Sequence, residues 1–81
     1  METRVALIGI VVKNIEAGTA VNEILHEYAS YIIGRFGLPY KEKGIHLISV
    51  AVDAPQDKIS ALSGKLGALK NVSAKTLYSD C

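Results

Sequence analysis

The chain has one cysteine, and it stands at the last of 81 positions. No disulfide can close within the molecule, nothing points to an oxidising compartment, and a cytoplasmic location is expected. Charge of one sign is equally scarce: nine Lys and Arg against eight Asp and Glu leave a formal net charge of +1. Holding a phosphate backbone usually needs a strong positive field, and these lysines are scattered along the chain, so DNA binding by the chain alone is disfavoured. Long hydrophobic runs are missing too. The apolar stretch from Val5 to Val12 is far shorter than the roughly 20 residues that cross a bilayer, and it has no secretory cleavage signal, so no membrane association is expected.

The patterns that carry chemistry are also missing. The Ser, His and Asp residues fall in no spacing that sets a nucleophile beside a base, so the expectation is a protein that is not an enzyme, with no evident cofactor. Gly34, Gly37, Gly64 and Gly67 fit neither a phosphate loop nor a dinucleotide turn, each of which runs from strand through glycine turn into helix. Bulges and helix ends account for them more simply.

What is present is apolar residue: 49% of the chain is hydrophobic. A chain this short buries only about 60% of its unfolded surface when it folds alone. The apolar content therefore exceeds what one small core can hide, which predicts marginal stability as a monomer and self-association into a dimer or tetramer.

The order of elements is legible from periodicity. The β-branched run from Val5 to Val12 reads as a central strand covered on both faces. From Glu16 to Ser30 the residues Ala20, Val21, Ile24, Leu25, Tyr28 and Ala29 recur at helical spacing. Tyr31 to Leu38 reads as a strand loosened by Gly34 and Gly37 and ended by Pro39, and the polar stretch from Tyr40 to Gly44 as a hairpin loop. A further strand runs from Ile45 to Val52. Asp53 with Gln56 three residues later resembles a capping box, Pro55 suits a first turn, and Ile59, Leu62, Leu66 and Leu69 give the second helix its stripe. Gly67 or Asn71 supplies its left-handed ending. Val72, Ala74, Thr76 and Tyr78 alternate as a last strand. The sequence βαββαβ predicts a single α+β domain over residues 1–81: a ferredoxin-like, four-stranded antiparallel sheet with two helices on one face. The other face is then left for a partner chain.

Candidate site residues are few, and each has a plainer reading. His26 and His46, with Glu27 and Cys81, are the material for a transition-metal site, but their spacing matches no metal motif, and a solvated helix face and a cross-strand contact explain them as well. Asn14, Gly18, Thr19 and Asn22 surround the start of the first helix, where free N–H groups hold either an anionic ligand or a simple cap. Arg35 on its glycine-flanked strand suits bidentate binding of a carboxylate or phosphate, or an ion pair with Glu27 or Glu42. Tyr28, Tyr31, Tyr40 and Tyr78 read as core or interface rather than as a base-stacking platform.

NEILHEY at residues 22–28, YIIGRFGLPYKEKGI at 31–45 and ALSGKLGAL at 61–69 resemble the iron-only hydrogenase system regulators, a family of small bacterial proteins, over nearly the whole chain. The resemblance implies a ferredoxin-like domain similar to ACT domains and to the C-terminal domain of the nickel-responsive repressor. It implies a regulatory module that senses a small effector, with Gly18, Thr19 and Asn22 at the turn that meets it, and acts through a protein partner. The other readings it brings are an oligomeric DNA-binding transcriptional regulator, with Arg35, Lys41, Lys43 and Lys65 as a basic stripe, and a nickel sensor. The chain enters its first strand almost at once, so a ribbon-helix-helix arm is not expected, and the strand region matching the nickel site offers only His46.

Overall fold

The computed structural model describes residues 2–14 and 16–79. Strand β1 (Arg4–Val12) is followed by helix α1 (Ala17–Glu27), a 3-10 turn (Ala29–Tyr31), strand β2 (Ile32–Tyr40), a second 3-10 turn (Lys41–Lys43), strand β3 (Ile45–Ala54), helix α2 (Gln56–Gly67) and strand β4 (Val72–Tyr78). All pairings are antiparallel and the strand order is β2-β3-β1-β4, the ferredoxin-like arrangement that the periodicity predicts.

The core lies between the sheet and the two helices. Ala6, Ile8, Ile10 and Val12 of β1 stand opposite Val52, Val50, Ile48 and His46 of β3, so these side chains share one face. Val21 and Leu25 of α1 and Ile59, Leu62 and Leu66 of α2 pack on that face, which puts both helices on the same side. Burying one such side chain stabilises the fold by about 1.5–3 kcal/mol. No charged or polar side chain is buried among the described residues, so the core holds by apolar contact.

Within the single chain strand β1 is covered by the helices on one face, and Val5 and Leu7 on the other face remain 41% and 47% exposed. Where the structure departs from the sequence reading, the reasons are local. Pro39 does not end pairing, because β2 is an edge strand, where a missing N–H interrupts no ladder, and Pro39 stands opposite His46. Tyr31 belongs to the 3-10 turn, not to β2. Asp53 forms no capping box. It lies inside β3, paired with Val5, and Pro55 precedes the helix as its cap residue with no side-chain cap bond. Gly67 is not the left-handed residue after α2; Asn71 is, with φ 66°.

Strand β2 carries the bulge expected of its glycine-rich stretch. Ile32 stands opposite Val52 and Gly34 opposite Ala51, so Ile33 is an extra residue with no partner. A bulge of one residue reverses the faces of everything after it. Arg35, Gly37 and Pro39 are thereby turned to the helix side, and Phe36, Leu38 and Tyr40 to the open face.

Candidate functional site

Helix α1 and the edge strand β2 bound a groove on the helix side of the sheet. Gly18, Asn22 and His26 are spaced four residues apart and form one stripe of α1. Arg35 reaches across from β2 and donates from its guanidinium to Asn22 Oδ1. Clefts lie at both ends of this groove. One, of about 420 Å³, is lined by Asn22, Leu25, His26, Ala29, Ile32 and Arg35. The other, of about 430 Å³ and mostly apolar, is lined by Val12, Gly18, Pro39 and His46 and, where the β2–β3 hairpin closes the end of the sheet, by Tyr40, Lys41, Gly44 and Ile45. Both fall in the size range of small-molecule sites.

The first cleft joins polar groups to an apolar floor. The Arg35 guanidinium has a neutral amide as its partner, and neither carboxylate offered by the sequence engages it. Glu27 pairs with Lys65 at 3.3 Å across the two helices, and Glu42 accepts from the Tyr40 hydroxyl at 3.4 Å. A guanidinium presents five donors in a fork that matches a carboxylate or phosphate. One amide oxygen takes up only part of that capacity, and the neighbouring imidazole of His26 adds a further polar group to the same wall.

At the start of α1 the N-cap residue is Glu16, which makes no side-chain cap bond. Asn14 Oδ1 accepts from the Glu16 N–H at 3.0 Å and the Asn14 carbonyl from the Ala17 N–H at 2.9 Å, so Asn14 serves the chain entering the helix. Thr19 is exposed and lines neither cleft. Gly18 lines the apolar cleft, and a Cβ there would meet nothing within 4 Å.

The metal candidates are not brought together. His26 lines one cleft and His46 the other, Glu27 is taken by Lys65, and Cys81 lies outside the described residues. Among the described residues no group of three or more His, Cys, Asp or Glu side chains is placed to hold a metal ion. Of the four basic residues, Lys65 is held by Glu27 and Arg35 by Asn22, while Lys41 and Lys43 sit in the hairpin turn. Tyr28 and Tyr31 join the core, with ring centroids 6.5 Å apart. No helix among the described residues is long and apolar enough to cross a membrane. Sequence reasoning missed Pro39, Tyr40 and Ile45 as lining residues. Reading Pro39 as the end of pairing hides them, since β2 runs on through Tyr40, opposite Ile45.

The chain matches a family model described as "TM1266-like: Iron-only hydrogenase system regulator, putative" over residues 4–76. It is similar to the solved structure of the uncharacterized protein TM1266 from Thermotoga maritima, with a TM-score of 0.91 and 37% identity, covering 95% of this chain and 98% of that one. A formyltetrahydrofolate deformylase from Pseudomonas putida KT2440 shares the fold alone: the TM-score is 0.69 at 13% identity, over 95% of this chain but 29% of the deformylase. No curated protein matches the chain.

Proposed function

The chain belongs to the TM1266-like family of iron-only hydrogenase system regulators, and from that premise we propose that it is a small effector-responsive module that acts through a protein partner. The effector is a small anion-bearing molecule seated in the Asn22–His26–Arg35 cleft. The observation that carries this reading is the Arg35 guanidinium, which spans the groove to a neutral partner and stands over a cleft of about 420 Å³. A carboxylate or phosphate accepts two parallel hydrogen bonds from such a fork, roughly twice as strong as neutral ones. An anion that takes over Arg35 competes with the bond that ties β2 to α1. The effector thus has differential affinity for bridged and unbridged arrangements, which is the requirement for any ligand that shifts a population.

Leu25, Ala29 and Ile32 give the effector an apolar body or tail to match. We read the cleft as a site of binding rather than turnover, and we place the module in the cytoplasm.

Thermal-shift and calorimetric titration of the purified protein against carboxylates, amino acids, nucleotides, inorganic phosphate, nickel, zinc and iron tests this reading. Anion-bearing compounds are expected to raise the midpoint, and Arg35→Gln to abolish the rise. If the whole panel stays flat, effector sensing fails. A mobility shift with duplex DNA at low salt, where electrostatic binding is strongest, points instead to the DNA-binding reading.

A further inference from the structure

The face of the sheet turned away from the helices carries most of the exposed apolar side chains. Phe36 is 61% exposed, Leu77 69%, Leu7 47% and Leu38 44%. The strand pairings arrange this face in rows running across β2, β3, β1 and β4. One row reads Leu38, Leu47, Val11, Ser73; the next Phe36, Ser49, Gly9, Lys75; the third Gly34, Ala51, Leu7, Leu77.

We propose that this face docks on the same face of a second copy of the chain, about a two-fold axis that runs parallel to the strands between β3 and β1. Such an axis lays each row on its own reversal. Leu77 then covers the partner's Gly34, Leu38 covers the partner's Ser73, and Leu7 covers the partner's Ala51. Large side chains meet small ones in each of these stacks, while Leu47 meets the partner's Val11, so two faces that are uneven alone fill most of the layer between sheets packed about 10 Å apart. In the middle row Gly9 and Ser49 stack on each other and leave a trough. Phe36 and Lys75 close it from its two ends, the ammonium stem lying over the partner's ring.

Charge selects this axis over the alternative. A two-fold axis perpendicular to the strands lays every strand on itself and sets Lys75 against Lys75 of the partner subunit in a desolvated layer. The parallel axis sets each lysine against an aromatic face instead. Asp53, paired with Val5 just beyond the third row, is the other charged residue on the open-face side of the β1–β3 pairing, so the face is close to neutral. The area is adequate as well. Four strands about 4.8 Å apart, over about seven residues of 3.4 Å each, give roughly 450 Å² of flat sheet per copy. Side-chain relief raises the total for two copies to about 1,000 Å² or more, the lower range of specific interfaces. The occupant is a second copy because the large-to-small matches are internal to this one face; an unrelated partner has no reason to reproduce them.

Light scattering on the full chain at about 50 µM tests the proposal, with a mass near twice 8.7 kDa expected. Gly34→Leu fits the isolated fold, since a Cβ at Gly34 makes only an ordinary 3.9 Å contact with the Ala51 Cβ, but it collides with Leu77 of the partner subunit. It is expected to weaken the dimer roughly thirtyfold, as loss of an interface hot spot does, and Leu77→Ala added to it is expected to restore the dimer by moving the knob to the other side. Phe36→Glu, at a site 61% exposed, dissociates the dimer while the circular dichroism stays native. Ala61→Glu, on the exposed side of α2, leaves it intact. A monomeric wild-type protein, a dimer indifferent to Gly34→Leu and Phe36→Glu, dissociation by Ala61→Glu, or failure of Leu77→Ala to restore association to folded Gly34→Leu each overturns it. So does association only with a different co-purified protein.

Discussion

Gln56 Nε2 donates to the Tyr78 hydroxyl at 2.7 Å, which ties the first residue of α2 to the last residue of β4. Arg4, the first residue of β1, completes the junction: its guanidinium donates to Gln56 Oε1 and lies 4.2 Å from the centroid of the Tyr78 ring. Tyr78→Phe keeps the ring beneath Arg4 and removes only the hydroxyl, so it is expected to destabilise the fold by about 0.5–1.5 kcal/mol. Gln56→Ala should lower stability further, because it also removes the acceptor of Arg4 and the 3.3 Å bond to Ser60. Urea unfolding of both variants checks the order. Equal midpoints would mean that the glutamine amide holds nothing beyond the tyrosine.

The two faces of the sheet respond oppositely to truncation. Leu62 is 1% exposed beneath α2, and Leu62→Ala removes transfer energy and opens a cavity, about 2–5 kcal/mol together. Leu77 on the open face has no intramolecular packing of that kind, and in dilute protein Leu77→Ser should change stability by less than about 0.5 kcal/mol. Thermal unfolding at a few micromolar separates the two. The contrast should narrow at high concentration if the open face is occupied.

The alternation that defines β3, α2 and β4 could be read directly, because burial on one side imposes a period on the residue types. Strand β1 could not be read so, since Val5, Leu7 and Val11 are as apolar as Ile8 and Ile10 although they point to the open face; composition does not distinguish a covered face from one that is bare in the monomer. The sequence points to Asn22 and to Arg35 separately, not to their pairing. Their meeting depends on the bulge at Ile33, and a sequence rich in glycine signals a bulge without giving its position. Had the bulge been absent, Phe36 would face the helices and Arg35 the open side. Asp53 and Gln56 had the residue types of a capping box, but continuation of β3 to Ala54 took the Asp53 backbone into the ladder, and Tyr78 took the glutamine side chain.

Lys65 links the helices by its 3.3 Å contact to Glu27. The hydrogen bond to the Glu27 carboxylate is the largest cause holding the Lys65 ammonium above its ordinary value, with Tyr28 adding to it. A raised folded-state value means that the contribution is fully present below the unfolded lysine value and is lost as the pH rises through the folded one. Both partners are solvent-exposed, so the effect is small and screened by salt. The midpoint difference between wild type and Lys65→Gln should hold constant through neutral and mildly alkaline pH, then fade above about pH 10.4. A difference that grows with pH contradicts the assignment.

Gly44 closes the β2–β3 hairpin turn with φ 64°, a left-handed conformation in which a Cβ crowds the backbone. Gly44→Ala should therefore destabilise by about 1 kcal/mol, while Gly44→Asn, tolerant of that region as Asn71 already is at φ 66°, should lose less. Hydrogen exchange at the amides of Ile45 and His46 reports whether the hairpin end loosens in step with the global change.

Asn22→Asp separates the two duties of Arg35. The new carboxylate has nearly the shape of the amide it replaces, so the bridge across the groove persists as an ion pair; at an exposed site that pair is worth about 0.2–1 kcal/mol, and the thermal midpoint should stay level or rise slightly. The guanidinium, however, is then neutralised, and an incoming anion must displace a charged partner and approach a like charge. Affinity for a phosphate or carboxylate ligand is expected to fall at least about tenfold, equivalent to about 1.4 kcal/mol, while Arg35→Gln loses both the affinity and the bridge. Calorimetric titration beside thermal unfolding of the two variants makes the comparison. Undiminished affinity in Asn22→Asp would mean that the anion is anchored elsewhere in the groove, and that Arg35 serves only to hold β2 against α1.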